Sequence, residues 1–182
     1  MNYYTSDLHL GHKNVIKFDN RPYLDVDEMD DCLIKNWNNK VTDNDDVYIV
    51  GDFAFKSGKS SDWYLKQLKG RKHLIIGNHD RVTLNNDKAM KYFVDVDKMM
   101  HVSDEYDDRT HQICLCHYPM VEWYKSFRGT WLFYGHIHNR KAETYEIMKN
   151  IERALNVGVA VNNYEPVTFA ELVENNRRFQ HE

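Results

Sequence analysis

The chain has 182 residues, 42% apolar and 29% charged, with a formal net charge of −4. That balance fits a soluble globular protein built as one domain over residues 1–182. The charge disfavours a nucleic-acid surface dominated by Lys and Arg, because duplex binding draws most of its affinity from phosphate neutralisation; a small phosphate ester stays open as a partner. Oligomeric state is not set by these quantities.

Asn2 to Ser6 is rich in aromatics and reads as a strand that stops at Asp7-Leu8-His9. A loop from Gly11 to Leu24 leads to a helix with Asp25 as cap, Glu28 completing a capping box, and Met29, Leu33 and Trp37 on one face as far as about Asn39. Asp46 to Val50 is a second buried strand, ending in Gly51-Asp52. A short helix capped by Ser60 or Ser61 carries Tyr64, Leu65 and Leu68 and closes at Gly70. The apolar run His73 to Ile76 then ends at Gly77-Asn78-His79-Asp80. Strand, helix, strand, helix, strand implies parallel βαβ units.

A helix is expected around Asn86 to Tyr92, followed by strands Met99 to Tyr106 and Thr110 to Cys116 joined by Asp107-Asp108-Arg109. The second of these stops at His117. Trp131 to Tyr134 is another apolar strand, ending at Gly135-His136-Ile137-His138; Ala154 to Val161 reads as one strand or a pair. Thr168 with Glu171 caps a C-terminal helix. Cys32, Cys114 and Cys116 lack zinc-type spacing and read as buried thiols. The N-terminus has no basic region followed by an apolar stretch, and no run of eighteen apolar residues occurs, so a reducing cytoplasm is the expected setting and no membrane span is expected.

Polar residues after a strand are ordinary turn residues, and a lone histidine is more often structural than functional. Here five strand ends carry them together: Asp7 and His9, Asp52, Asn78 and His79, His117, and His136 and His138. The carboxyl ends of strands in α/β sheets line the ligand crevice, so these residues should converge. Two aspartates, an amide oxygen and imidazoles suit borderline divalent ions such as Mn, Fe, Zn or Co. They are too many for one tetrahedral ion, whereas two ions ~3.5–4 Å apart would use them naturally and would suit in-line displacement at phosphorus.

The ordered series Asp-Leu-His, Gly-Asp, Gly-Asn-His-Asp, His and Gly-His-Ile-His, from Asp7 to His138, resembles the calcineurin-like metallophosphoesterase superfamily, most of all its small bacterial and phage members. The resemblance implies a four-layer αββα sandwich of mixed β-sheets. It assigns Asp7, His9, Asp52 and His138 to a first ion and Asp52, Asn78, His117 and His136 to a second, with Asp52 as the bridge. The implied activity is hydrolysis of a phosphomonoester or phosphodiester by a metal-bridging hydroxide, with His79 as proton donor and Asp80 orienting it and keeping it cationic. A nuclease or a cyclic-nucleotide phosphodiesterase is the alternative within the class. A non-catalytic interaction module on the same scaffold is the alternative outside it.

Arg21 and His12, with Lys13 nearby, are candidates for contacting the phosphate of a bound ester, Arg21 first because its planar fork matches a phosphate. Asn139 and Arg140 are weaker candidates. Tyr118, Trp123, Tyr124, Phe127 and Trp131 could stack on a base, although packing is the commoner role. Asp52 is followed by Phe53-Ala54-Phe55 instead of the Asp-Arg of the protein Ser/Thr phosphatases, so protein dephosphorylation is disfavoured.

Overall fold

A computed structural model describes residues 1–181. Strands β1 (Asn2–Thr5), β2 (Asp46–Ile49), β3 (Arg71–Ile75) and β4 (Phe93–Asp97) form one sheet in that spatial order, every adjacent pair parallel. Parallel neighbours need crossovers. These are helices α1 (Lys13–Phe18) and α2 (Val26–Lys40) between β1 and β2, α3 (Ser61–Leu65) between β2 and β3, and α4 (Arg81–Leu84) and α5 (Asp87–Met90) between β3 and β4. The second sheet runs β5 (Met99–Tyr106), β6 (Arg109–Cys116), β7 (Trp131–Tyr134) and β8 (Ala154–Asn156), antiparallel across β5 and β6 and parallel thereafter. Helices α6 (Glu143–Met148) and α7 (Phe169–His181) complete the chain. Only the second sheet is mixed; the expectation of two mixed sheets fails because all three links in the first are helical crossovers.

Alternation along the strands sorts their side chains into layers. Tyr3, Val47, Ile49 and Leu74 pack outward against Met29, Leu33 and Trp37 of α2 and Tyr64 and Leu65 of α3. Their neighbours Tyr4, Val50 and Ile75 face the other way and meet Ile113, Leu115, Phe133 and Leu155 between the sheets, with Phe169 and Leu172 of α7. Cys114, Cys116, Leu132 and Tyr134 form the far side of the second sheet against Met148 of α6. The result is an α/β sandwich of two central sheets with helices outside. Both cysteines of β6 are buried, as read from the sequence, whereas Cys32 on α2 is only half-buried.

Helix starts follow the local chemistry. Asp25 accepts the Glu28 N–H at 2.9 Å, and Glu28 reaches back to the N–H of Leu24 at 2.6 Å. At the start of α7 the exchange is reciprocal: Thr168 Oγ1 accepts the Glu171 N–H at 3.4 Å and Glu171 Oε2 accepts the Thr168 N–H at 2.8 Å. Elsewhere the sequence expectations need correction. The expected loop Gly11 to Leu24 contains α1, the helix toward Gly70 stops at Leu65, the helix expected over Asn86 to Tyr92 is the single turn Asp87–Met90, and the last strand covers only Ala154–Asn156. Strand β4 and helix α6 were not anticipated. Among the described residues no helix is long and apolar enough to cross a membrane.

Candidate metal centre

The parallel strands β1, β2, β3, β6 and β7 all deliver their carboxyl ends to one edge of the sandwich, and the five motifs occupy those ends. The turns there are tight. Asp7, His9, Asp52, His136 and His138 all adopt left-handed backbone, with φ between 50° and 71°. Asp and His tolerate that region better than most residues, and a cluster of such conformations is typical of functional sites. Two glycines let backbone approach the carboxylates. A Cβ on Gly77 would lie 2.3 Å from Asp52 Oδ1, and one on Gly135 would lie 2.6 Å from Asp7 Oδ2.

Seven polar side chains converge. His9 Nε2 lies 3.2 Å from His138 Nε2 and 4.0 Å from Asp7 Oδ1, and His138 Nε2 is 3.5 Å from that same oxygen. Asn78 Oδ1 sits 3.0 Å from His117 Nε2 and 2.9 Å from His136 Nδ1. Asp52 Oδ2 stands between the two groups, 3.5 Å from His9 Nε2 and 3.5 Å from His117 Nε2. Asp7, His9 and His138 could hold a metal ion, as could Asp7, Asp52 and His117, the ligand atoms of each trio lying within 4.8 Å of one another.

Four of the inward-facing groups, His117, His138, Asp7 and Asp52, are aimed by an outward bond of the kind that orients metal-ligating side chains, whereas His9 Nδ1 is buried without a hydrogen-bond partner. His117 Nδ1 is held by the Val50 carbonyl at 2.9 Å and His138 Nδ1 by Asp19 Oδ2 at 2.6 Å. Asp7 Oδ2 accepts the Ser6 hydroxyl at 2.6 Å and the His136 N–H at 3.0 Å; that N–H is shared with Oδ1 at 3.2 Å, and Oδ1 faces His9 and His138. Asp52 Oδ1 accepts the His79 N–H at 2.8 Å, leaving Oδ2. The side-chain amide of buried Asn156 donates to the His138 carbonyl at 2.7 Å, and the Asn156 backbone N–H donates to Asn176 Oδ1 of α7 at 2.8 Å.

Burial lowers the His9 pKa, with the neighbouring His138 adding to the effect, so the ring is neutral and ready to donate a lone pair. Burial and the negative charge of Asp7 push Asp52 up to about 6 against the pull of His117. His138 behaves differently: burial opposes its charge, but the Asp19 hydrogen bond and the carboxylates of Asp7 and Asp19 outweigh that and raise its pKa. His9 Nε2 and Asp52 Oδ2, two buried lone-pair donors 3.5 Å apart, are chemically matched to a cation.

Two expected roles are corrected. Arg21 is only 4% exposed and does not reach the cleft; its guanidinium pairs with Asp19 at 3.1 Å and donates to the carbonyls of Asp7 and Leu8 at 2.8 Å and 2.9 Å. It braces the first motif from behind. Asp80 does not orient the His79 ring, because its fully buried carboxylate accepts the N–H groups of Asp52, Phe53 and Gly77 at 2.8–2.9 Å. Nor is His79 held cationic: burial and the nearby His117 lower its pKa despite Asp80.

His79 and His12 both line a cleft of 460 Å³ above the centre, along with Phe18, Phe55, Lys56 and Arg140. The His79 ring lies 4.1 Å from that of Phe55, and His12 lies 4.9 Å from Phe55 on the same wall. Asp19, Phe55 and Lys56 were not anticipated from the sequence. Asp19 belongs to no motif and its partner is 119 positions away, so only the fold discloses it.

An uncharacterized protein of Methanocaldococcus jannaschii, MJ1445, is 34% identical over 174 residues, covering 94% of this chain and 89% of its own length. The chain belongs to that family. The Gene 66 protein of Mycobacterium phage L5 falls in the same family, 30% identical over 86% of this chain and 85% of its own. The crystal structure of a protein of unknown function from Aquifex aeolicus, AQ665, shares the family's fold at 24% identity, with a TM-score of 0.68 over 92% of this chain and 94% of that one. No family model matches the chain.

Proposed function

We propose that the chain is a metal-dependent phosphoesterase that holds two divalent ions of the Mn, Fe, Zn or Co type and acts on a small phosphate ester. The observation carrying this reading is the position of Asp52 Oδ2, equidistant at 3.5 Å from one imidazole of each donor group. A carboxylate so placed can serve both ions, which is the arrangement the resemblance to calcineurin-like metallophosphoesterases implies. Such ions would supply Lewis acidity at phosphorus and activate a water for in-line displacement.

The chain's own residues do the rest. Asp7, His9, Asp52 and His138 would hold one ion and Asp52, Asn78, His117 and His136 the other, with Asp19 and the Val50 carbonyl fixing two of the rings. His79 lines the cleft with its ring 5.5 Å from that of His9, and its imidazole, once protonated, would give a proton to a departing oxygen. His12, Lys56 and Arg140 line the same space and would attract the phosphate.

The test is to purify the protein without chelators, measure metal per chain, and assay p-nitrophenyl phosphate and bis-p-nitrophenyl phosphate with added Mn. His79→Ala should keep its metal and lose turnover by roughly 10²–10⁴. Unchanged turnover would remove His79 from the chemistry. Absence of both bound metal and activity in the parent protein would favour the non-catalytic module.

A further inference from the structure

Two clefts adjoin at the metal centre. The first, of 460 Å³, contains His79, Phe18 and Phe55; the second, of 420 Å³, contains Tyr118, Thr144 and Tyr145. His136 and Arg140 line both and form the join between them. Each cleft has the size to take one ring-bearing group. Both have an accessible aromatic face: Phe18 is 60% and Tyr118 47% exposed. The Tyr118 ring also lies 4.7 Å from that of His136, which ties the second cleft to the centre itself.

We propose that the substrate is a small phosphodiester bearing a ring system on each ester arm, the leaving arm in the first cleft and the retained arm in the second. This rests on the phosphoesterase reading above. A phosphate fixed at the centre has two ester oxygens in a diester and one in a monoester, so a monoester would leave one cleft empty. The leaving arm belongs with His79, because the group that protonates the departing oxygen must lie on its side. Arg140, at the join, meets the single negative charge of a diester. The net charge of −4 favours a small diester over a nucleic-acid strand. In the reaction an oxygen from water bonds to phosphorus as the bond to the leaving oxygen breaks. That oxygen keeps the bonding pair and takes a proton from His79, and the proton lost by water balances it. The products are one alcohol and one monoester.

Thr144 is exposed on α6 in the second cleft, so Thr144→Trp should fill it, and Tyr118→Leu should remove its aromatic face. In the metal-loaded parent, kcat/KM for bis-p-nitrophenyl phosphate should exceed that for p-nitrophenyl phosphate by about tenfold or more, the scale of one added stacking contact. Both variants, checked for unchanged metal content, should bring that ratio down toward one. Binding gives a readout separate from turnover: His79→Ala should bind diphenyl phosphate about tenfold more tightly than phenyl phosphate in calorimetry. Equal handling of monoester and diester would overturn the two-cleft inference and leave the phosphoesterase reading standing. A diester preference that survives both variants would overturn the assignment of the second cleft. Neither hydrolysis nor binding of any ester would overturn both readings together.

Discussion

Asp19 is fully buried at its side chain, where it receives His138 Nδ1 at 2.6 Å and Arg21 at 3.1 Å. One carboxylate therefore sets the tautomer and the angle of a proposed ligand while its own charge is neutralised from the other side. Asp19→Asn should weaken binding of one of the two ions by about 10–100-fold and leave the other in place, measured by calorimetric titration of the chelator-treated protein with Mn. Equal loss at both sites, or none, would contradict the role. Asp52 carries a pH signature. Its folded pKa of about 6 exceeds the ordinary 3.8, so in metal-free protein the native state binds the extra proton between these values. Unfolding free energy should fall as pH rises through that window, by up to about 3 kcal/mol, because burial and the charge of Asp7 disfavour ionised Asp52. Asp52→Asn should abolish the slope in urea titrations and raise metal-free stability at pH 7. The proposed ligand residues were legible because every one sits beside a strand end in a recognisable order. Asp19, Arg21 and Asp80 were illegible in their roles because each acts on backbone or rings remote in sequence.

At the scale of elements, the strands with strongly apolar runs were readable within a residue or two, and β7 over Trp131 to Tyr134 matched its expected bounds. Strand β4 was missed because Phe93-Val94-Asp95-Val96-Asp97 lies at the sheet edge, where exposed acids replace a buried face. Helix α6 was missed because six residues show too little periodicity, although Tyr145 and Met148 are buried on one side. The turns that end the strands are less forgiving than the strands. Gly77→Ala would place a methyl 2.3 Å from Asp52 Oδ1 and 2.6 Å from its backbone nitrogen. That clash is with rigid backbone and a proposed bridging ligand, so a stability cost of about 1–3 kcal/mol and loss of metal are expected, read from thermal melts and metal content. A variant with full metal and parental melting would show that the β3 turn can relax.

Over the whole molecule, two sheets share one apolar layer and present their strand ends at a common edge, so proposed ligands up to 131 positions apart in sequence, Asp7 to His138, meet without any insertion between motifs. Alternation in β1, β2, β3, β6, β7 and β8 forces the layering; the residues between the sheets are apolar apart from positions such as His73, which stacks on Tyr48. The order of helices and strands was enough to expect parallel units, whereas which sheet each strand joins depends on pairing across long separations and was not readable from local pattern. The central claim is that Asp52 serves two ions at once. Metal content by mass spectrometry of the protein purified without chelators, parent beside Asp52→Asn, tests it directly. About two equivalents in the parent and loss of affinity for both ions in the variant are expected; two full equivalents retained by Asp52→Asn, or loss of one ion alone, would contradict the bridge.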